Sequence, residues 1–214
     1  MPRSKQQNQQ IKDERRRQIM DAAVKIFAEK GLSATMISDI AAACDLSYGL
    51  IYHYFHDKEE LFITLVERAL HGGLALTETA QTLPGTPWDR LRFVCAEMMD
   101  GLRTRPEYFR IIMQAQLSDS PSSAVRKLVS DIGERVWVNI SNLIHEGQEA
   151  GEVVAGNPHT LAYLLNAFIQ GMALNLSYEF YDEAYFPSVD DALRFLRPAQ
   201  PIAAKEPGES KHED

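Results

Sequence analysis

Apolar residues recur at spacings of three and four along almost the whole of this 214-residue chain, and runs alternating with period two between turn residues are nearly missing. That pattern restricts the expected fold class to all-α. Turn signals at Gly31, Asp45, Pro84–Pro87, Pro106, Ser118–Pro121, Gly151, Gly156–Pro158 and Pro187–Ser188 divide the chain into about nine helices. The first spans about Lys12–Lys30, with Ile19, Ala23, Ile26 and Phe27 on one stripe and Gly31 as a left-handed terminator. Thr35 to Ser38 offer hydroxyls to cap a short helix, Ile37–Cys44, whose Ile40 and Ala41 face inward. After a turn at Asp45–Ser47 a third helix spans Tyr48–Phe55, with Phe55 in the core. Longer helices are expected at Lys58–Thr79 (Leu61, Leu65 and Leu70 buried), Trp88–Thr104, Pro106–Leu117, Ala124–Ala150 and Pro158–Tyr181, with a short last one near Val189–Leu196.

Charge is divided unevenly along these helices. The chain carries 22 Lys+Arg against 30 Asp+Glu, a net -8, which argues against a surface that binds nucleic acid indiscriminately. Through residue 58, however, nine basic residues face seven acidic ones, so a +2 head precedes a body of -10. Only the head suits an anionic partner. The greasiest stretch, Ala162–Leu176, is interrupted by Asn166, Gln170 and Asn175 and is too short to span a bilayer. The N-terminus is polar and Gln-rich without a signal-like apolar segment, and Cys44 and Cys95 have no metal-like spacing, so a cytoplasmic protein with reduced thiols is expected. The expected division is a flexible arm (1–11), a small three-helix domain (12–60), a larger helical domain (61–197) and a Pro-containing disordered tail (198–214).

Three helices in fewer than 50 residues, the last two joined by a three-residue turn, have helix-turn-helix proportions. The third helix opens Ser47-Tyr48-Gly49 and continues Leu50-Ile51-Tyr52-His53-Tyr54-Phe55. Small and hydrogen-bonding residues at its start and aromatic rings with polar tips along it suit entry into a DNA major groove. Gly49 keeps the first turn thin, Ser47 and nearby backbone amides suit a phosphate, and Tyr52 can donate to phosphate while its ring covers a sugar or thymine methyl. Tyr48 and His53 are further contact candidates, Lys58 anchors the adjacent backbone by charge, and Thr35 combines a cap with a phosphate contact.

With Phe27-Ala28-Glu29-Lys30-Gly31, Asp39-Ile40-Ala41 and Asp57-Lys58-Glu59-Glu60-Leu61 in order around it, this segment resembles the DNA-binding domain of the tetracycline-repressor (TetR) family over about residues 15–65. Beyond that the likeness is one of architecture and of the Glu149-Ala150-Gly151-Glu152 turn before a long helix. The resemblance implies a homodimer on a palindromic DNA operator, usually a repressor, released when a small-molecule effector binds the larger domain. Asp45 stands where the family commonly has Gly, a substitution tolerated because Asp visits the left-handed region. Leu50 replaces a frequent Thr or Ser, and His53-Tyr54 reverses the commoner order, leaving either ring to face DNA.

The larger domain offers Trp88, Phe93, Met98, Met99, Tyr108, Phe109, Met113, Trp137, Tyr163, Phe168 and Met172 as core or as cavity lining, favouring a hydrophobic or aromatic effector. Arg103, Arg105 and Arg110 are either solvated or partners for an acidic one. Leu161, Leu165, Phe168, Met172 and Leu176, with Leu193 and Leu196, are the apolar set expected at a dimer interface, and Gly171 permits close helix approach. None of the six histidines lies in a zinc-protease spacing, and neither a phosphate loop nor a nucleophile elbow is present, so no enzyme, metal or cofactor is expected. The alternative to a DNA-binding regulator is a helical protein-protein adaptor.

Overall fold

The computed structural model describes residues 5–117, 123–176 and 182–198. Among them are nine α-helices, two 3-10 turns (Glu183–Tyr185 and Arg194–Leu196) and no strand, as the apolar spacing implies. The expected tail beyond residue 198 and the expected last turn of the eighth helix at 177–181 lie outside the described residues.

Helix α1 (Lys5–Ala34) starts seven residues before the expected Lys12, so residues 5–11, expected as an arm, are helical. Long side chains with good helix propensity explain this, and Gln9 Nε2 donates to Asp13 Oδ1 at 2.8 Å across one turn. Ile11 is the one apolar residue there, so no stripe announces the helix. At Gly31 the dihedrals leave the helical region (φ 77°, ψ 167°), a conformation that suits glycine. Helix α2 (Ile37–Ala43) is preceded by Met36, not by a hydroxyl cap. The Thr35 hydroxyl instead donates to Gly31 O at 2.7 Å, and the Met36 amide donates to Asp39 Oδ2 at 3.4 Å. Helix α3 (Tyr48–Tyr54) completes the head.

The head core gathers Ile19, Ala23 and Phe27 of α1, Ile40 of α2, Ile51 of α3, and Phe55, all at most 1% exposed. Helix α4 (Lys58–Thr82) closes it with Leu61, Phe62 and Leu65, and Phe62 meets Phe27 edge to face at 5.3 Å. Asp57 fixes where α4 begins, its carboxylate accepting from the Glu60 amide at 2.8 Å while Glu60 accepts from the His56 amide at 2.6 Å.

Farther along, α4 packs into a body made of α5 (Pro87–Thr104), α6 (Pro106–Leu117), α7 (Ser123–Glu149), α8 (Pro158–Asn175) and the short α9 (Val189–Ala192). Thr86 with Asp89, and Ser188 with Asp191, form reciprocal caps, while Asn157 caps α8 ahead of Pro158. The 149–152 turn uses Gly151 at φ 72°, with the Glu152 amide donating to Gly147 O at 2.8 Å. Head and body share a joint: α1 lies against α4 and α6, with Gln114 Nε2 donating to Ala28 O at 3.2 Å.

The single helix expected near Val189–Leu196 is instead α9 and a 3-10 turn tucked against α5, which buries Ala192, Leu193 and Leu196. Leu165 and Met172 are likewise inside the protomer. Four of the residues expected to meet a second copy therefore close this copy's own core.

Candidate nucleic-acid interface and internal cavity

The turn between α2 and α3 depends on one residue in the left-handed region, Asp45 at φ 54°. Gln18 of α1 holds that turn, its Nε2 donating to Cys44 O at 2.9 Å while Cys44 Sγ lies 3.7 Å from Gln18 O. This clamp joins residues 26 apart, a separation that no helical spacing reveals. It fixes the end of α2, and with it the turn into α3, against α1.

On that face Ser47, Tyr48, Gly49, Tyr52 and His53 are exposed, while Ile51 is fully buried and Leu50 and Tyr54 are half-buried. Of the pair His53-Tyr54, His53 points outward and the half-buried Tyr54 packs on the core. Ser47 makes no capping bond with its side chain, which leaves its hydroxyl and the first amides of α3 to the outside. A Cβ on Gly49 meets no atom within 4 Å, so nothing inside the protein requires glycine there. Tyr48 and Tyr52 approach through their hydroxyls at 3.1 Å, and this bond holds the Tyr52 phenol above its ordinary value.

Two candidates face the fold instead. Thr35 is 1% exposed with its hydroxyl spent on Gly31 O. Lys58 reaches back from the first turn of α4, its ammonium donating to Ser33 O and Thr35 O at 3.0 Å each. Those carbonyls follow the break at Gly31 and lack helical partners, so the lysine ties the α1–α2 loop to α4. Nearby, Lys30 pairs with Asp39 at 2.8 Å; the ammonium bond, and next the Met36 amide, hold the Asp39 carboxyl below its usual range. Met36 itself is 64% exposed beside this loop, a position that helix patterning did not single out.

In the body, α4 to α8 line a partly open cavity of about 490 Å³, within the range typical of small-molecule sites. Met98, Tyr108, Phe109, Met113 and Trp137 line it, as does Arg105. Trp88, Phe93, Met99, Tyr163, Phe168 and Met172 do not. Met99 turns its sulfur toward Cys95 Sγ at 3.6 Å, Trp88 carries the Arg197 guanidinium at 4.7 Å, and Tyr163 is 69% exposed. The lining also includes Arg68, Leu76, Ile112, Gln116, Asn166 and Gln170, and four helix-interior glycines, Gly72, Gly73, Gly101 and Gly133. Glycine inside a predicted helix was the available sign of missing volume. Among the described residues no group of three His, Cys, Asp or Glu side chains is arranged to hold a metal ion, and no helix is long and apolar enough to cross a membrane.

Residues 19–65 match the family described as bacterial regulatory proteins, tetR family. The transcriptional repressor KstR of Mycolicibacterium smegmatis is 30% identical over 44% of this chain and 46% of its own length. KstR of Mycobacterium tuberculosis is 26% identical over 59% of this chain and 60% of its own length. The chain thus spans about half the length of these curated relatives. Among solved structures, AibR in complex with isovaleryl coenzyme A and operator DNA superposes with a TM-score of 0.68 at 16% identity, over 84% of this chain and 94% of that one, a likeness of fold. With the turn at Asp45 and the exposed face of α3, the segment 19–65 is the part of the chain that matches the tetR family of bacterial regulatory proteins.

Proposed function

We propose that the protein is a ligand-responsive transcriptional repressor that binds a palindromic DNA operator as a homodimer in the cytoplasm and catalyses no reaction. The observation that carries this reading is the ridge formed by Tyr48, Tyr52 and His53 on a helix whose other side is locked into the head. Those three side chains meet base edges and sugars, while Ser47 and the thin turn at Gly49 admit the phosphate backbone. Thr35, Tyr54 and Lys58 act one step back, by shaping the loop and helix that make the contacts.

A two-fold operator needs a two-fold protein, with half-sites about 34–36 Å apart or a multiple of that. The outward stripe of α8 suits that pairing: Tyr163, Leu164 and Leu174 are 69%, 48% and 47% exposed, with Ala167 and Gly171 between them. Small residues along such a stripe let a partner helix close in. The cavity supplies the place for an effector, which releases DNA only by favouring the conformer that cannot bind it. The relatives named as repressors, and the AibR complex with both operator DNA and a thioester, support the reading.

Selection of binding sites from random duplex DNA tests it. A palindrome with two half-sites, bound with a steep salt dependence, is expected. Failure of a folded dimer to enrich any sequence overturns the reading in favour of the helical adaptor.

A further inference from the structure

Arg68 stands where head and body meet. Its side chain leaves α4, lines the cavity, lies 5.8 Å from the ring centroid of Tyr108, and pairs through Nη1 with Asp21 Oδ1 of α1 at 3.4 Å. Tyr108 lines the cavity too. Its phenol is pushed up by burial and feels Arg68, Asp21, Glu107 and Arg105, so these four charges surround one ring. Of the four, Arg68 and Arg105 line the cavity while Asp21 and Glu107 do not, so the charges that the lining presents beside Tyr108 are the two guanidiniums. Glu97 is the remaining charged residue of the lining, which leaves Arg68 and Arg105 in excess over it.

A wholly apolar occupant would strip water from these guanidiniums and return no bond, a cost that an anionic group on the occupant removes. The Arg68–Asp21 pair is weak by construction, because both side chains are about half exposed, at 45% and 53%. A carboxylate arriving from within the cavity meets the same guanidinium with less water between them and competes on favourable terms.

We infer that the cavity takes a mostly apolar molecule ending in a carboxylate, and that this carboxylate draws Arg68 away from Asp21, loosening the joint between α4 and α1. The ligand part stands on the cavity alone; only the consequence for DNA rests on the regulatory reading above. By linkage, if ligand and Asp21 compete for one guanidinium, removing the Asp21 charge must strengthen the ligand.

The test uses the full chain and three matched probes, dodecanoate, dodecanol and dodecyltrimethylammonium, followed by fluorescence of Trp137 in the cavity wall. Dodecanoate is expected to bind about tenfold more tightly than dodecanol, the size of one hydrogen bond to a charged group, with the ammonium weakest. Arg68→Gln should erase the preference for the carboxylate while dodecanol binding stays as it was. Asp21→Asn should bind dodecanoate about threefold more tightly, as expected for release of a half-exposed ion pair, and dodecanol unchanged. On a duplex obtained by selection, dodecanoate should lower the parent's affinity and shift the Asp21→Asn protein less.

Equal binding of the three probes, a preference for the ammonium, no binding of dodecanoate, or an Asp21→Asn protein with unaltered dodecanoate affinity each overturns the inference. If the probe results hold and no duplex is bound, the ligand assignment stands and the regulatory reading falls. If a duplex is bound and the probe results fail, the reverse is true.

Discussion

The hydroxyls of Tyr48 and Tyr52 lie 3.1 Å apart, one turn along the exposed face of α3, with ring centroids separated by 5.0 Å. One phenol donates to the other, so the pair presents a single free proton to a partner and works as one unit. Tyr48→Phe and Tyr52→Phe should each weaken binding to the selected duplex by about three- to tenfold, and the double variant by little more than either. Gel shifts on all three proteins decide this. Additive losses would mean that the two rings contact DNA independently.

The same hydrogen bond predicts a pH effect. It raises the Tyr52 phenol, so the pair's contribution is fully present below the ordinary phenol value and is lost as pH rises through the raised one. In an ultraviolet titration Tyr48→Phe should move the ionisation of Tyr52 back toward an ordinary phenol.

Lys58 separates a structural role from an electrostatic one. Its two bonds to Ser33 O and Thr35 O hold the α1–α2 loop, so Lys58→Ala should lower unfolding stability by roughly 1 kcal/mol. Duplex affinity should fall with it while the slope of affinity against salt stays the same. A phosphate contact would instead reduce that slope by about one unit. Urea denaturation and a salt series on the same variant distinguish the two.

These contrasts mark where the sequence was legible. Periodicity located the helices, and the chemistry of Asp45 foretold its left-handed turn, because both are local properties of the chain. The partners of Lys58 lie 25 and 23 residues away, and the clamp of Gln18 on Cys44 spans 26, so nothing local announces them. Adjacent apolar residues raise a different difficulty. Leu164 and Leu165 both continue the stripe of α8, yet one is 48% exposed and the other 1%, and only the neighbouring helices decide which. Met98 and Met99 divide between cavity wall and core in the same way. The outward face of α3 was readable, but the inward claims on Thr35 and Tyr54 were not.

Leu164 and Leu165 also give a direct test of the dimer. Leu164→Glu should halve the mass seen by light scattering at micromolar protein while helix content is retained, because the charge enters the exposed stripe. Leu165→Ala should leave assembly intact and lower stability by about 2–5 kcal/mol through the cavity it opens. A monomeric Leu165→Ala protein beside a dimeric Leu164→Glu one would place the interface elsewhere.

Asp39 carries an acid limb. Lys30 and the Met36 amide hold its carboxyl low, so its stabilising contribution is present above the unfolded carboxylate range and disappears as pH falls through the lowered value. Asp39→Asn should be less stable than the parent at neutral pH, and the two unfolding midpoints should converge as the solution is acidified through the carboxylate range. A constant difference across that window would show that the ion pair is not the source.

Helix α7 contains two glycines whose surroundings differ, and they make opposite predictions. At Gly133 a Cβ meets no atom within 4 Å and the site faces the cavity, so Gly133→Ala should raise stability by about 0.5–1 kcal/mol, the ordinary helix preference of alanine. At Gly147 a Cβ collides with Cγ2 of Val153, just beyond the turn that closes on Gly147 O. Gly147→Ala should therefore destabilise by about 1–3 kcal/mol despite the same gain in propensity. Extending the first change to Gly133→Leu takes up part of the cavity volume from the α7 wall. Duplex binding should survive and the response to dodecanoate should weaken, measured on one preparation by gel shift and by fluorescence. If Gly133→Leu keeps the full dodecanoate response, the ligand does not lie against this wall of the cavity.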